Sequence, residues 1–368
     1  MKALRIPMMV AAVLLLGACH DEGLSSPTLG VNGAAQGHLK VLSWNVYVGT
    51  DVDAVIEALA DGFQPEDMLV LQAQIQTLVM TDFPSRAGAM VDEIAARRPH
   101  VVGLQEITTL DLQAFGLGTI DFLQIVQDEL AARGLHYEVA GQVTNIDVSI
   151  DVPGMGAIGL TDYDVMLVDA DRVQVLDAWG KTFDMNMVDL IGPVGGISLV
   201  RGYVYADILI GEKDYHVVTA HLESSGYAPL LPMLRGAQAT EIVTVLADAD
   251  RAVVMGDLND EGVSPMNAAF AAGGFLDVWP TLYPGTDGFT CCHAYTLDEE
   301  VPVYTKRIDY VFVRGIEHPI QGLKNGSMEI LGEEPADRIL DAPYYPLWPS
   351  DHLGLFAHLR VPIAEDLR

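Results

Sequence analysis

Short polar segments that could do hydrolytic or metal chemistry stand at the ends of apolar runs along the chain. Because a buried strand ends where the chain leaves its sheet, side chains from several strand ends can meet in one crevice. Any one segment alone is explained as well by a solvated loop acid or an ordinary turn. The segments are Ser43-Trp44-Asn45, Leu104-Gln105-Glu106, Thr219-Ala220-His221, Met255-Gly256-Asp257-Leu258-Asn259, and the pair Arg307-Ile308-Asp309 and Ser350-Asp351-His352.

Taken together and in this order, the segments resemble the endonuclease/exonuclease/phosphatase superfamily, which includes deoxyribonuclease I, AP endonucleases, neutral sphingomyelinases and inositol polyphosphate 5-phosphatases. The resemblance covers residues 39–359. It implies an α/β fold, a four-layer sandwich in which two mixed β-sheets pack face to face and are flanked by helices. It also implies hydrolysis of a phosphate ester with a divalent metal, Mg²⁺ or alternatively Mn²⁺.

Three residues match the family's metal site. The resemblance implies that Glu106 is the principal ligand, since Mg²⁺ prefers carboxylate oxygen. Asn45 is expected to supply a neutral amide oxygen nearby. Asp351 is similar to the family's further acidic residue, at the metal or just outside its first coordination sphere.

Five residues match the catalytic positions of the family. His352 is expected to be the general base that deprotonates the attacking water, with Asp309 fixing its tautomer. Asp257 and Asn259 would position the nucleophile and a phosphate oxygen. His221, as imidazolium, would donate to the phosphoryl group, although a structural core histidine is the alternative explanation.

Differences between this chain's motif residues and those of the family narrow the range of expected substrates. AP endonucleases have an acid where this chain has Tyr47 and a tyrosine where it has His221, so AP-site cleavage is disfavoured. Histidine at position 221 suits the deoxyribonuclease and sphingomyelinase branches. Arg201 opens a β-rich run and could touch a phosphate, but an edge-strand salt bridge is the favoured interpretation. Asp164 is a weaker candidate for the site.

The net charge of the chain limits which partners and substrates are expected. The chain carries 20 Lys and Arg against 51 Asp and Glu, a net charge of −31, which disfavours broad nucleic-acid binding without excluding it. We therefore rank a phospholipid headgroup or a small phosphate ester above DNA. The alternatives are a secreted nuclease with the same site and a non-catalytic binding lipoprotein. A monomer is expected.

The N-terminal residues have the layout of a secretion signal. Lys2 and Arg5 precede an uncharged, largely apolar stretch at 6–18, which is too short to span a bilayer comfortably. The sequence Leu16-Gly17-Ala18-Cys19 resembles the lipobox of bacterial lipoproteins, which implies cleavage after residue 18 and a lipidated Cys19. A plain secretion signal with an incidental cysteine is the alternative. His20, in place of the aspartate that favours inner-membrane retention, indicates the outer membrane of the cell envelope.

The remaining pattern predicts one α/β domain. With 50% hydrophobic residues the chain can bury a sizeable core. Residues 1–18 form the predicted signal peptide, 19–37 a flexible tether and 38–368 the domain. Strands are expected at 39–46 and 101–104, and strands with generous loops at 141–200.

Two helices and one loop complete the prediction. Ala87, Met90, Val91 and Ile94 have helical spacing and end before Pro99. A second apolar helix face is formed by Ala239, Ile242, Val243 and Leu246. Residues 283–304 predict a long loop beside the site, in which the adjacent Cys291 and Cys292 form either a vicinal disulfide or two reduced thiols.

Overall fold

Alternating strands and helices begin at His38. The computed structural model describes residues 37–58, 64, 66–152, 154–193, 197–224, 230–316, 323 and 326–360, all within the unit Ala34–Arg368. The predicted signal peptide and, except for Gly37, the predicted tether lie outside the described residues. In chain order the elements are β1 (His38–Asn45), α1 (Val52–Ala58), α2 (Asp67–Met80), α3 (Phe83–Arg97), β2 (Val101–Asp111), β3 (Thr119–Asp121), α4 (Phe122–Ala132), β4 (Tyr137–Val152), β5 (Gly156–Asp169), β6 (Gln174–Thr182), α5 (Met187–Ile191), β7 (Gly202–Ile210), β8 (Lys213–His221), α6 (Leu231–Val245), β9 (Ala252–Asp257), α7 (Pro265–Ala272), β10 (Leu276–Asp277), α8 (Val278–Leu282), β11 (Asp309–Arg314), β12 (Ser327–Leu331) and β13 (Gly354–Arg360).

The strands form two sheets, each with one parallel pair among antiparallel ones. The first has the order β12-β13-β1-β2-β5-β4, with β3 paired to the end of β2, and its parallel pair is β1 and β2. The second has the order β10-β11-β9-β8-β7-β6, and its parallel pair is β8 and β9. The prediction of two mixed sheets is confirmed.

Alternation along the strands produces four layers. Leu39 and Val41 of β1 belong to the apolar core between the sheets, together with residues of β8 and β9. Their neighbours Leu42 and Trp44 belong to a second core shared with α3 and α4. On the far side of the second sheet, a third core joins Val254 and its neighbours to α6 and α7. Because successive strand side chains point to opposite faces, both sheets are covered on both sides.

The helices form where the apolar spacing predicts them. In α3, Ala87, Met90, Val91 and Ile94 are all buried, and the Asp82 side chain caps the helix by accepting from the backbone N–H of Ser85. In α6, the face predicted from Ala239, Ile242, Val243 and Leu246 packs in the third core. The region 141–200 is more regular than expected, since β4 and β5 pair along almost their whole length.

The two sheets are in close contact beneath the ends of the strands that carry Glu106 and His221. A Cβ atom added to Gly103 in β2 would lie 2.2 Å from Thr219 Oγ1 in β8. Gln105 Nε2 donates to the same Thr219 hydroxyl at 2.9 Å, so a polar contact also links the sheets there. Glycine at 103 therefore allows the strands that carry Glu106 and His221 to approach each other.

Among the described residues, no helix has the length and apolarity needed to cross a bilayer.

Candidate active site

The predicted site residues converge where the two parallel strand pairs end. Asn45 closes β1, and its Nδ2 donates to Glu106 Oε1 at 2.9 Å and to Asp257 Oδ2 at 3.1 Å. Glu106 lies in the first sheet and Asp257 closes β9 in the second. One amide therefore joins carboxylates from both sheets.

A β-bulge sets the direction of the Glu106 side chain. Leu104 pairs with Val165 and Ile107 with Tyr163, so two residues of β2 oppose one of β5 at this point. Glu106 has a φ of 60°, in the left-handed region that non-glycine residues seldom adopt. Its Oε2 accepts from the backbone N–H of Val48 at 3.1 Å. The strained backbone and this hydrogen bond fix the carboxylate at the end of the sheet.

An aspartate fixes the imidazole of His352. His352 Nδ1 lies 3.0 Å from Asp309 Oδ2, and both side chains are buried. The segment before β13 is held in turn, because Ser350 Oγ donates to the carbonyl of Asn45 at 2.6 Å and accepts from His352 N–H at 3.2 Å. With Nδ1 engaged by Asp309, Nε2 is the nitrogen directed towards Asp257, 3.7 Å from its Oδ2.

Opposing effects act on the pKa of His352. Burial alone would lower it, but three carboxylates raise it well above its ordinary value. They belong to Asp309, Asp257 and Asp351. These carboxylates favour the protonated ring, and positive charge that compensates them would favour the neutral base.

Asp257 is the centre of the cluster. Its Oδ2 accepts from Asn45 and lies 3.4 Å from His221 Nε2, while its Oδ1 accepts from the backbone N–H of Asn259 at 3.0 Å. Strand register explains the assembly, since Asp257 pairs with His221 of β8 on one side and with Asp309 of β11 on the other.

His221 lies between Asp257 and two groups behind it. Its Nδ1 is 3.2 Å from Arg201 Nη1 and 3.7 Å from Asp164 Oδ1. Burial and Arg201 lower the pKa of His221, but Asp257 and Asp164 outweigh them and the pKa is raised. The neutral ring can accept from Arg201, and the protonated ring can donate to Asp164, so Nε2–H faces Asp257 in both states.

A cleft of about 190 Å³ opens over these groups. Six of the eight predicted residues line it, and the other two, Asn45 and Asp309, are hydrogen-bonded to residues that do. The six are Glu106, His221, Asp257, Asn259, Asp351 and His352. The structure thus brings all eight together, while the roles assigned to them stay predictions.

The acids of the cleft fit a divalent cation. Burial raises the pKa of Asp351 to about 7 against the opposing effect of His352, and Glu106 raises it further. Burial also raises the pKa of Asp162 to about 7, again with Glu106 contributing. Carboxylates that raise one another's pKa are stabilised by a nearby cation, and hard oxygen donors are what Mg²⁺ and Mn²⁺ take. Glu106 and Asp351 line the cleft, and their role as metal ligands stays a prediction.

Asn45 makes hydrogen bonds through both ends of its amide group. Its Oδ1 accepts from the backbone N–H of Tyr47 at 3.0 Å, and its Nδ2 faces the carboxylates of Glu106 and Asp257. In this arrangement Asn45 positions the acids, and its role as a metal ligand stays a prediction. The buried group Asp257, Asp309 and His352 also has ligand atoms within 4.8 Å of one another, but the Asp309–His352 hydrogen bond already uses two of them.

Arg201 corrects one expectation. It precedes β7, which lies inside the second sheet between β8 and β6, so it is not on an edge strand. It is partly buried in the cleft wall, 3.9 Å from Glu223 and closer to His221. Burial opposes a charge there, but the carboxylates of Glu223 and Asp162 raise the pKa of Arg201. A guanidinium in this position can donate to a phosphate oxygen.

Sequence reasoning missed Arg86. This fully buried side chain of α3 donates to the carbonyls of Val46, Tyr47 and Pro349, so it ties the loop after Asn45 to the segment before Asp351. A signal was present, because residue 86 falls on the apolar face of the helix, where an arginine needs a special reason.

The loop predicted at 283–304 lies beside the cleft, which Tyr295 lines. Its backbone is attached to the site, since Cys291 forms isolated bridges with Lys306 and His352. Cys291 and Cys292 are neighbours in this loop, and the vicinal disulfide and the two reduced thiols both stay predictions.

Comparison with known proteins gives a family and a fold. The model of the endonuclease/exonuclease/phosphatase family matches residues 42–352. No curated protein matches significantly. Among solved structures, the endonuclease/exonuclease/phosphatase of Bacteroides vulgatus is 18% identical with a TM-score of 0.53, covering 88% of this chain and 99% of its own.

Two further structures are similar. The endonuclease/exonuclease/phosphatase of Beutenbergia cavernae is 18% identical with a TM-score of 0.53, covering 89% of this chain and 73% of its own. Truncated Caenorhabditis elegans TDP2 is 16% identical with a TM-score of 0.50, covering 88% of this chain and 98% of its own. At these identities the structures establish the shared fold.

Proposed function

This chain belongs to the endonuclease/exonuclease/phosphatase family, whose members are usually metal-dependent phosphoesterases or nucleases, and we propose that it hydrolyses phosphate esters in the cleft. The observation that carries the proposal is the buried Asp309–His352 pair, with Nδ1 and Oδ2 3.0 Å apart and Nε2 directed at Asp257. This is the geometry in which an oriented imidazole takes a proton from a bound water.

The proposed reaction is an attack of water on phosphorus. His352 Nε2 takes a proton from the water, and Asp309 stabilises the imidazolium that results. As the new P–O bond forms, the P–O bond to the leaving group breaks. Asp257 Oδ2, 3.7 Å from Nε2, can hold the same water in position.

Two side chains in the cleft wall can donate hydrogen bonds to the phosphoryl group of a bound substrate. His221 presents Nε2–H and Arg201 presents its guanidinium, both in the cleft wall. They are placed to stabilise negative charge as it grows on the phosphate oxygens, and Asn259 to orient the group. When bound by Glu106 and Asp351, a divalent cation supplies positive charge that polarises a phosphate oxygen and offsets the carboxylates that raise the pKa of His352.

For the substrate we propose a phospholipid headgroup or a small phosphate ester. The net charge of −31 supports this choice, because long nucleic acids need Lys and Arg contacts along their backbone. A cleft of about 190 Å³ has room for a phosphate group and its immediate substituents.

A substrate panel tests the function. Plasmid DNA, RNA, sphingomyelin, phosphatidylcholine and inositol phosphates are each incubated with Mg²⁺ or Mn²⁺, and with EDTA as control. We expect EDTA-sensitive hydrolysis of a lipid or small ester at a higher kcat/KM than of either nucleic acid. Faster cleavage of DNA or RNA would replace the substrate proposal with the nuclease alternative, and no hydrolysis of any member would refute the enzymatic function.

We also propose attachment to the envelope membrane through a lipidated Cys19, which lies outside the described residues. The lipobox-like sequence Leu16-Gly17-Ala18-Cys19 supports it. Mass spectrometry of the N-terminal peptide should show acyl mass on Cys19 as the first residue of the mature chain. An unmodified cysteine there would leave the plain secretion signal as the explanation.

A further inference from the structure

A second cavity, of about 80 Å³, lies beside the cleft and is apolar. Its walls come from α1, α2, the end of β2 and the β4–β5 hairpin, with Leu71, Val148 and Ile158 among the lining residues. Thr50 and Gln74 are the polar side chains in the wall, and they bond to each other, Thr50 Oγ1 donating to Gln74 Oε1 at 2.7 Å. The cavity thus offers contact to hydrocarbon and little to a polar ligand.

The apolar cavity adjoins the cleft. Five residues line both: Thr50, Val52, Ile56, Ile146 and Leu160. A molecule whose phosphate lies near Glu106 and His221 therefore has the apolar cavity beside it, next to Val52 and Leu160.

We propose that the apolar cavity is a subsite for an alkyl chain attached to the phosphate ester, so that the substrate is amphiphilic. This inference rests on the proposed function and narrows its substrate class. A hydrocarbon chain suits the cavity because burying it there removes apolar area from water and leaves no donor or acceptor unpaired. A nucleobase or a peptide would leave its polar groups without partners in this cavity.

The size of the cavity limits the chain. An apolar cavity of about 150 Å³ accommodates benzene, so a space of 80 Å³ takes only a short stretch of chain before it is full. Each buried methylene contributes about 0.8 kcal/mol, which is about fourfold in affinity. About three buried methylenes therefore raise kcat/KM about 50-fold, and longer chains add little.

The test is a series of alkyl 4-nitrophenyl phosphates, from methyl to octyl, hydrolysed as monomers below their micelle concentrations. With Mg²⁺ or Mn²⁺ we expect kcat/KM to rise with chain length and then level off. A flat series with measurable turnover would overturn the subsite and leave the phosphoesterase function standing.

A cavity-filling variant locates the chain. Val148 is half-buried on β4 and lines the apolar cavity but not the cleft. We expect Val148→Trp to fill the cavity and to reduce the octyl-to-methyl ratio of kcat/KM from about 50 to below about 5. Val175→Trp, on the partly exposed strand β6, is the matched control and should keep the wild-type ratio. An unchanged ratio in Val148→Trp would place the chain elsewhere and contradict the inference.

A binding measurement separates this inference from the proposed function. Calorimetry with octyl phosphate and methyl phosphate in EDTA needs no turnover, and we expect the octyl compound to bind at least about tenfold more tightly in wild type but not in Val148→Trp. Equal binding of the two compounds would refute the subsite. If wild type binds the chain but hydrolyses none of the esters, the proposed function fails and the subsite stands.

Whether the alkyl chain belongs to a soluble ester or to a membrane lipid is tested by supplying the substrate as monomers or in vesicles. The Val148→Trp effect is measured once with monomeric octyl ester and once with phosphatidylcholine vesicles. A Val148→Trp loss with monomers supports a soluble amphiphile, and a loss with vesicles alone supports a membrane lipid. A loss in neither would overturn the subsite.

Discussion

Asp309 acts on the proposed chemistry through His352. It starts β11 and holds Nδ1 of the ring, so its removal should misplace a proton and leave the substrate contacts intact. Asp309→Asn is expected to lower kcat at least about 100-fold with a KM change below threefold, because the wrong tautomer of the base becomes favoured.

Rates of Asp309→Asn are compared with those of Asp177→Asn, an exposed acid on β6 that should behave as wild type. Circular dichroism checks that both variants fold. A kcat of Asp309→Asn within twofold of wild type would show that Asp309 does not orient the base.

His100, which lies outside the site, makes the folding stability depend on pH. It is buried, its Nδ1 accepts from the backbone N–H of Lys40 at 3.0 Å, and burial with the Arg172 charge lowers its pKa to about 3. In the unfolded chain the ring protonates near pH 6.5, so the unfolded state binds the extra proton between about pH 6.5 and 3. Its contribution to stability is therefore lost as pH falls below about 6.5.

Urea unfolding measures this effect. Between pH 7.5 and 5, wild type should lose about 2 kcal/mol more of its unfolding free energy than His100→Gln, whose amide oxygen can accept from Lys40 without titrating. Equal losses in the two proteins would mean that His100 protonates in the folded state.

The side chains in the cleft were predictable from sequence to different degrees. Glu106 and His352 stand out because a metal-capable residue follows an apolar run and the segments occur in the family's order. For Arg201 an edge-strand salt bridge was favoured over a phosphate contact, because sequence gives the end of a run and not the direction of the side chain. Arg86 was missed because its partners are backbone carbonyls, which carry no sequence signal.

At the scale of the element, strand register builds the site. The pairings of Asp257 with His221 and with Asp309 place three functional side chains side by side. Apolar periodicity predicts that β8, β9 and β11 exist, but their order in the sheet depends on pairings distant in sequence. The bulge that turns Glu106 is likewise a local exception that an apolar run does not reveal.

The close approach of β2 and β8 gives a prediction for Gly103. In Gly103→Ala the new methyl would lie 2.2 Å from Thr219 Oγ1, so the sheets must separate or a core side chain must move. We expect a loss of about 3 kcal/mol in unfolding free energy, the upper end for overpacking a core. Chemical denaturation measures it.

Gly159→Ala in β5 is the control, since its new methyl would meet Asp111 Cβ at an ordinary 3.4 Å. If Gly103→Ala is no less stable than this control, the two sheets are not in tight contact below the site.

At the scale of the whole molecule, charge and layering have separate consequences. The four layers follow from alternating apolar strands and amphipathic helices, and this much of the fold was predicted from sequence and from the family resemblance. Net charge carries no information on the fold, but a charge of −31 means that any added salt relieves repulsion. Effects of Mg²⁺ must therefore be separated from general screening.

Bound cation should stabilise the folded chain. A ligand present at one hundred times its Kd contributes about 2.7 kcal/mol, so we expect Mg²⁺ to raise Tm by several degrees above a Na⁺ control of equal ionic strength. EDTA should remove the increase, and Glu106→Gln should lack it because a principal ligand is lost. An undiminished increase in Glu106→Gln would place the cation outside the cleft.

The most direct test of the account is the single-turnover rate of His352→Gln on the best substrate of the panel with saturating Mg²⁺. We expect a rate at least about 100-fold below wild type, the usual contribution of a general base, with the melting transition of a folded protein retained. A folded His352→Gln enzyme that turns over at the wild-type rate would contradict the central claim that His352 activates the attacking water.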